Sequence, residues 1–231
     1  FDEPLPPSFS ARLDDIASRY EEAEDRATRA LRLVQEDIRY LGLLSGLGSH
    51  APRSPATTLQ RGYGECKANE VLLVAALDYL GIEAVPALAS ISAGELLPKL
   101  PATISGFDHV IVEVDIDGKK YWIDPTLSLQ GGTIETEAPL GYGYVLPLRD
   151  RHSELVKVPD NFSDTPNLEV IESFEFPESG DVGMKISIEH RYRSFQANGQ
   201  RYLISTVGKE NIATGLFDHY AGIYNGITES Q

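Results

Sequence analysis

Cysteine is nearly absent. Cys66 is the only one in 231 residues, so no intramolecular disulfide and no cysteine-based metal site can form. A single thiol leaves the redox compartment open. No apolar stretch approaches the ~18 residues that a membrane-spanning helix requires. Positive charge is scarce and dispersed: 20 Lys and Arg against 35 Asp and Glu give a formal net charge of −15. Arg26, Arg29, Arg32 and Arg39 are interleaved with acidic residues. A nucleic-acid partner would need a basic stripe, so none is expected, and the acidic surface reads as a solvated one. Phe1-Asp2-Glu3-Pro4 has neither the basic nor the apolar part of a signal peptide, and there is no initiator Met. That start is expected of a mature or excised piece.

What is present reads as a helical N-terminal half feeding a sheet. Residues 10–20 and 22–41 have helical spacing; in the second, Ala27, Ala30, Leu31, Val34, Ile38 and Leu41 fall on one face. Residues 42–64, rich in Gly, Ser and Pro, read as a long irregular connection, and such connections are commonly functional. An apolar helix then opens near Cys66 and stops at Gly81. Glu83 to Ser90 reads as a strand and 91–106 as a loop. Residues 128–150 are glycine-rich and read as a further loop. From about 159 the pattern alternates over Leu168–Phe176 and Val182–Tyr192, with a helix possible over 196–220. The expected organisation is a larger core domain over 1–158 and a small, β-rich, partial domain over 159–231.

The strongest local signal is a hairpin. Val110, Val112, Val114 and Ile116 alternate with other residues, and Asp117-Gly118 separates them from a second strand run, Lys119 to Asp124. With a two-residue turn, Ile116 faces Lys119. Counting back, Ile111 faces Asp124 and His109 faces Thr126. His109 and Asp124 are then diagonal neighbours on the mixed face that also carries Ile111, Glu113 and Trp122. The opposite face is almost wholly apolar and must pack into a core.

Cys66 follows Arg61-Gly62-Tyr63-Gly64-Glu65 at the start of its helix. A helix start presents unpaired N–H groups and a partial positive charge, which favour a thiolate and can bind an oxyanion. Glu65 opposes this and Lys67 can offset it. A cysteine here is either a small buried hydrophobe or a nucleophile. If it is a nucleophile, an imidazole takes its proton and later protonates the leaving amine, while a carboxylate orients the imidazole. Cys66, His109 and Asp124 supply those three groups. His50, His152, His190 and His219 are scattered without ligand spacing, so neither metal nor cofactor is expected. Ser45, Ser49 and Ser54 lack a nucleophile-elbow motif, and Gly46-Leu47-Gly48 is too short for a phosphate loop. Tyr142 and Tyr144 read as packing aromatics.

Several segments, taken in order, resemble bacterial transglutaminase-like proteins of the papain-like superfamily. They are Ile38-Arg39-Tyr40-Leu41-Gly42, Pro52-Arg53-Ser54-Pro55-Ala56, Arg61 to Lys67, Leu80-Gly81-Ile82-Glu83-Ala84, Phe107-Asp108-His109-Val110-Ile111-Val112 and Tyr121-Trp122-Ile123-Asp124-Pro125-Thr126. The resemblance spans about residues 25–127. It implies an α+β fold, with the nucleophile at a helix N-terminus packed on an antiparallel sheet. It implies Cys66, His109 and Asp124 as a triad, and acyl transfer on amide bonds of a peptide or protein substrate, by hydrolysis or by transfer to an amine. Many such proteins are exported to the periplasm, which is the localisation expected by resemblance. The family motif Gly-Asp-Cys-Lys-Asp-Lys reads here Gly64-Glu65-Cys66-Lys67-Ala68-Asn69, which alters the charges at the helix start. Gln35, Gln60, Tyr63, Gly64 and Trp122 are the candidates for oxyanion or substrate contacts. The competing expectation is a catalytically silent peptide- or protein-binding module on the same fold.

Overall fold

The computed structural model describes residues 3–42, 51–136, 141–150, 153–159, 164–176, 183–224 and 226–228. The chain forms two compact units, 1–162 and 163–231.

In the first unit, α1 (Pro7–Arg19) and α2 (Ala23–Asp37) form where helical spacing predicts. Helix α2 ends earlier than its apolar pattern suggests. Residues Arg39–Tyr40 instead form a short strand, β1, parallel to β2 (Tyr63–Gly64). The Arg39 and Leu41 N–H groups donate to the Gly62 and Gly64 carbonyls, a long-range pairing that local periodicity cannot report. The irregular connection expected over 42–64 is partly ordered. Ser54 accepts a hydrogen bond from the Thr57 N–H and Pro55 occupies the first turn, so Pro55–Arg61 forms helix α3. Ser45, the Gly46–Gly48 run, Ser49, His50 and His152 lie outside the described residues.

Helix α4 (Cys66–Tyr79) buries Ala68, Leu72, Leu73, Ala76 and Leu77, and packs on a five-stranded antiparallel sheet. Each of those leucines contributes about 2 kcal/mol by leaving water. The sheet order is β5-β4-β3-β6-β7, built from β3 (Glu83–Ala89), β4 (His109–Ile116), β5 (Lys119–Ile123), β6 (Tyr144–Pro147) and β7 (Val156–Lys157). Strands β4 and β5 pair in the register expected, with Ile116 opposite Lys119 and Val112 opposite Ile123. Asp117 and Gly118 both take positive φ, 51° and 82°, as a tight primed turn demands. One face, with Val112, Val114, Ile116, Tyr121 and Ile123, joins the helices in the main core. On the other, Ile111 packs with Ala87, Ala89, Val145 and Val158, and Trp122 and Tyr142 cover that cluster.

Two loop expectations are corrected. Within 91–106, Gly94–Lys99 and Ile104–Gly106 form short 3-10 turns. Within 128–150, Tyr144–Pro147 is a strand, β6, beside β3. Its glycine-rich approach masks a four-residue run too short to register as a pattern.

In the second unit, β8 (Leu168–Glu175) and β9 (Lys185–Tyr192) form an antiparallel hairpin, followed by α5 (Ser194–Val207) and α6 (Lys209–Ile223). Helix outweighs strand there, so the expected β-rich character holds only for its first part. Among the described residues of this unit, only Tyr220 is buried. No described helix is long and apolar enough to cross a membrane.

Candidate active site

Three elements converge near the start of α4. Cys66 opens the helix, His109 opens β4, and Asp124 follows the last residue of β5. All three are buried, with Asp124 fully so. His109 Nε2 lies 2.8 Å from Asp124 Oδ2. The Cys66 thiol is near enough to the ring to act on its proton affinity. Burial works to lower the imidazole pKa. The hydrogen bonds and charges of Asp124 and Cys66 outweigh it and push the pKa up to about 10.

Asp124 is held by four donors. The Thr126 N–H (2.8 Å) and hydroxyl (2.6 Å) donate to Oδ1. His109 and the Tyr142 hydroxyl (2.6 Å) engage Oδ2. Burial raises the carboxyl pKa, but these donors, His109 foremost, bring it below the ordinary value. Tyr142 also packs its ring 5.3 Å from that of His109. Burial and the Asp124 charge raise its phenol pKa, so it stays a proton donor. Sequence reasoning took Tyr142 for a packing residue. Only the fold of 141–147 brings it to Asp124, 18 residues away in sequence.

A close backbone crossing holds Tyr142 in place. A Cβ on Gly94 would collide with the Tyr142 carbonyl, and one on Gly143 would lie 2.6 Å from the Glu95 N. Only glycine tolerates that approach, and Gly143 also has φ +64°.

At the helix start, Ala68 and Asn69 N–H groups donate to the Glu65 carbonyl. The Cys66 and Lys67 N–H groups have no acceptor among the described residues. They are the donors available to an oxyanion. The buried Glu65 carboxylate is paired with Arg53 at 3.1 Å, so Arg53 rather than Lys67 balances that charge.

The secondary candidates separate. Gln35 is buried and its Nε2 donates to the Asp124 carbonyl and to Gln130 Oε1, each at 2.9 Å. These bonds anchor the segment after β5. Gln60 is exposed on α3. The Tyr63 hydroxyl accepts from Arg61 at 2.6 Å, and Gly64 is buried beside Asn69. Trp122 is half-buried over the second apolar cluster. Tyr40, which sequence reasoning did not single out, pairs with Gly64 in β1–β2. Burial raises its pKa, as do the charges of Cys66, Asp124 and Glu65, so its phenol belongs to the same neighbourhood. Among the described residues, no group of three or more His, Cys, Asp or Glu side chains could hold a metal ion.

No family model matches the chain, and no curated protein matches its sequence. Two solved structures are similar in shape. A "putative protease" from Parabacteroides distasonis ATCC 8503 aligns over 65% of this chain with 12% identity and a TM-score of 0.49. A "putative cysteine protease" from Cytophaga hutchinsonii aligns over 80% with 13% identity and a TM-score of 0.42. The chain spans 27% of the length of the first and 50% of the second.

Proposed function

We propose that the first unit is a papain-like, transglutaminase-like catalytic core that transfers acyl groups from amide bonds of a peptide or protein. Cys66 is the nucleophile, His109 the acid–base and Asp124 the orienting carboxylate. The observation that carries this reading is the buried His109–Asp124 hydrogen bond, 2.8 Å long, with the Cys66 thiol at the helix start close enough to raise the imidazole pKa.

In this reading the Cys66 thiol gives its proton to His109 and its sulfur attacks the amide carbonyl. The oxygen that becomes negative meets the free N–H groups of Cys66 and Lys67. As the C–N bond breaks, His109 returns the proton to the departing amine and a thioester remains. Water or a second amine, deprotonated by His109, then attacks the thioester and frees the thiol. Throughout, Asp124 keeps the imidazole oriented and supports its positive form. Export to the periplasm belongs to the same proposal.

The test is alkylation of Cys66 by iodoacetamide near pH 6. His109→Ala should slow it by roughly tenfold or more, because the imidazolium that supports the thiolate is gone. Rates independent of His109 would sink the proposal. A peptide that binds the parent and Cys66→Ala equally, with no turnover in the parent, would instead establish the binding-module reading.

A further inference from the structure

Glu70 lies one helical turn beyond Cys66 on the same face of α4, with the two Cβ atoms about 5–6 Å apart. It is 1% exposed, and its Oε1 has no hydrogen-bond partner among the described residues. An ionised carboxylate without donors is strongly disfavoured in such a place, and an apolar side chain would pack there at lower cost. The other buried acids of this region are compensated. Asp124 has four donors, and Glu65, although its Oε1 is likewise unpartnered, has the Arg53 guanidinium on Oε2, whereas Glu70 has no ion pair among the described residues.

The charges acting on Glu70 come from three elements: Cys66 and Lys67 on its own helix, His109 from β4, and Asp124 at the end of β5. Burial pushes its carboxyl well above the usual range. The Cys66 and Asp124 charges push the same way, while His109 and Lys67 pull it back. The imidazolium of His109 balances one anion, and Asp124 already occupies that position. A thiolate adds one negative charge. An ionised Glu70 would add a second, with no donor to receive it.

We propose that Glu70 is a positioning residue that keeps its proton beside the Cys66–His109 pair, so that Cys66 and Glu70 compete for a single negative charge. This rests on the thiolate chemistry proposed above and adds a control over it. When Glu70 is protonated the thiolate can form. When Glu70 releases its proton first, the like charge holds the proton on sulfur. The two acids then titrate as a coupled pair with two shared steps.

The experiment follows the rate of Cys66 alkylation against pH in the parent, Glu70→Gln and Glu70→Leu. The parent should show a broad, two-step rise. Both variants should show a single step that coincides with the parent at the lowest pH, where Glu70 carries its proton, and should alkylate faster than the parent, by up to about tenfold, once pH rises into the range where Glu70 ionises. Curves that coincide over the whole pH range overturn the proposal. A reciprocal measurement needs no change at Glu70: the Glu70 carboxyl is titrated by carbon NMR in the parent and in Cys66→Ser. Its midpoint should fall when the thiol is replaced, and an unchanged midpoint overturns the proposal even if the Glu70 variants do not fold. The outcomes stay distinct from those of the parent reading. Alkylation indifferent to His109→Ala removes the acyl-transfer function, yet leaves the coupling of Glu70 to Cys66 measurable.

Discussion

Asp124 shows how a fully buried charge is kept in this protein. Each carboxylate oxygen receives two donors, so its desolvation is offset by charge-assisted hydrogen bonds. Tyr142→Phe removes one donor and should cost about 1.5–3 kcal/mol at neutral pH, read by urea unfolding. The folded pKa of Asp124 is depressed, so its contribution is present above the unfolded value near 4 and is lost as pH falls through the folded one. The difference between parent and Tyr142→Phe should therefore shrink in acid. His109 has the opposite sign. Its folded pKa is raised to about 10, so its contribution is complete below about pH 6.5 and is lost as pH rises through 10. Relative to His109→Gln, the parent should lose stability steadily across that interval. A flat difference in denaturation midpoints would contradict the assignment.

At the level of elements, the crossing of the 94–95 turn with Tyr142-Gly143 ties β6 to the site. Gly143→Ala introduces both a clash and a strained φ, and should cost about 3 kcal/mol. It should also slow Cys66 alkylation, since Tyr142 can no longer reach Asp124; unfolding curves and iodoacetamide rates check the two effects. This crossing also marks where sequence reasoning stops. The α4 start, the β4–β5 register and the meeting of His109 with Asp124 were legible, because helix periodicity, strand alternation and an Asp-Gly turn are all local signals. Tyr142, Tyr40, Arg53 and the anchoring role of Gln35 were not. Each reaches the site across a loop or a parallel two-residue bridge, and no local pattern encodes such a meeting. The strand β6 escaped for the same reason: four residues stabilised by β3 leave too little alternation to detect.

As a whole, the molecule divides its stability unevenly. The first unit holds a continuous buried core from Phe9 to Ile134, whereas the second buries only Tyr220 among its described residues. Native-state hydrogen exchange should find α4, β3 and β4 the slowest elements, with α5 and α6 exchanging orders of magnitude faster. Equal protection in both units would refute this. The hairpin has a reach of its own. From its tip at Asp117-Gly118 to His109 the strand runs roughly 26 Å, yet the turn sets the phase of every side chain along it. One residue inserted at that distant tip, if the offset travels the length of the ribbon, would turn Asp124 toward the helices and leave His109 without its carboxylate. The pairing of His109 with Asp124 would thus be undone from the far end of the ribbon, with every side chain of the site still in the sequence.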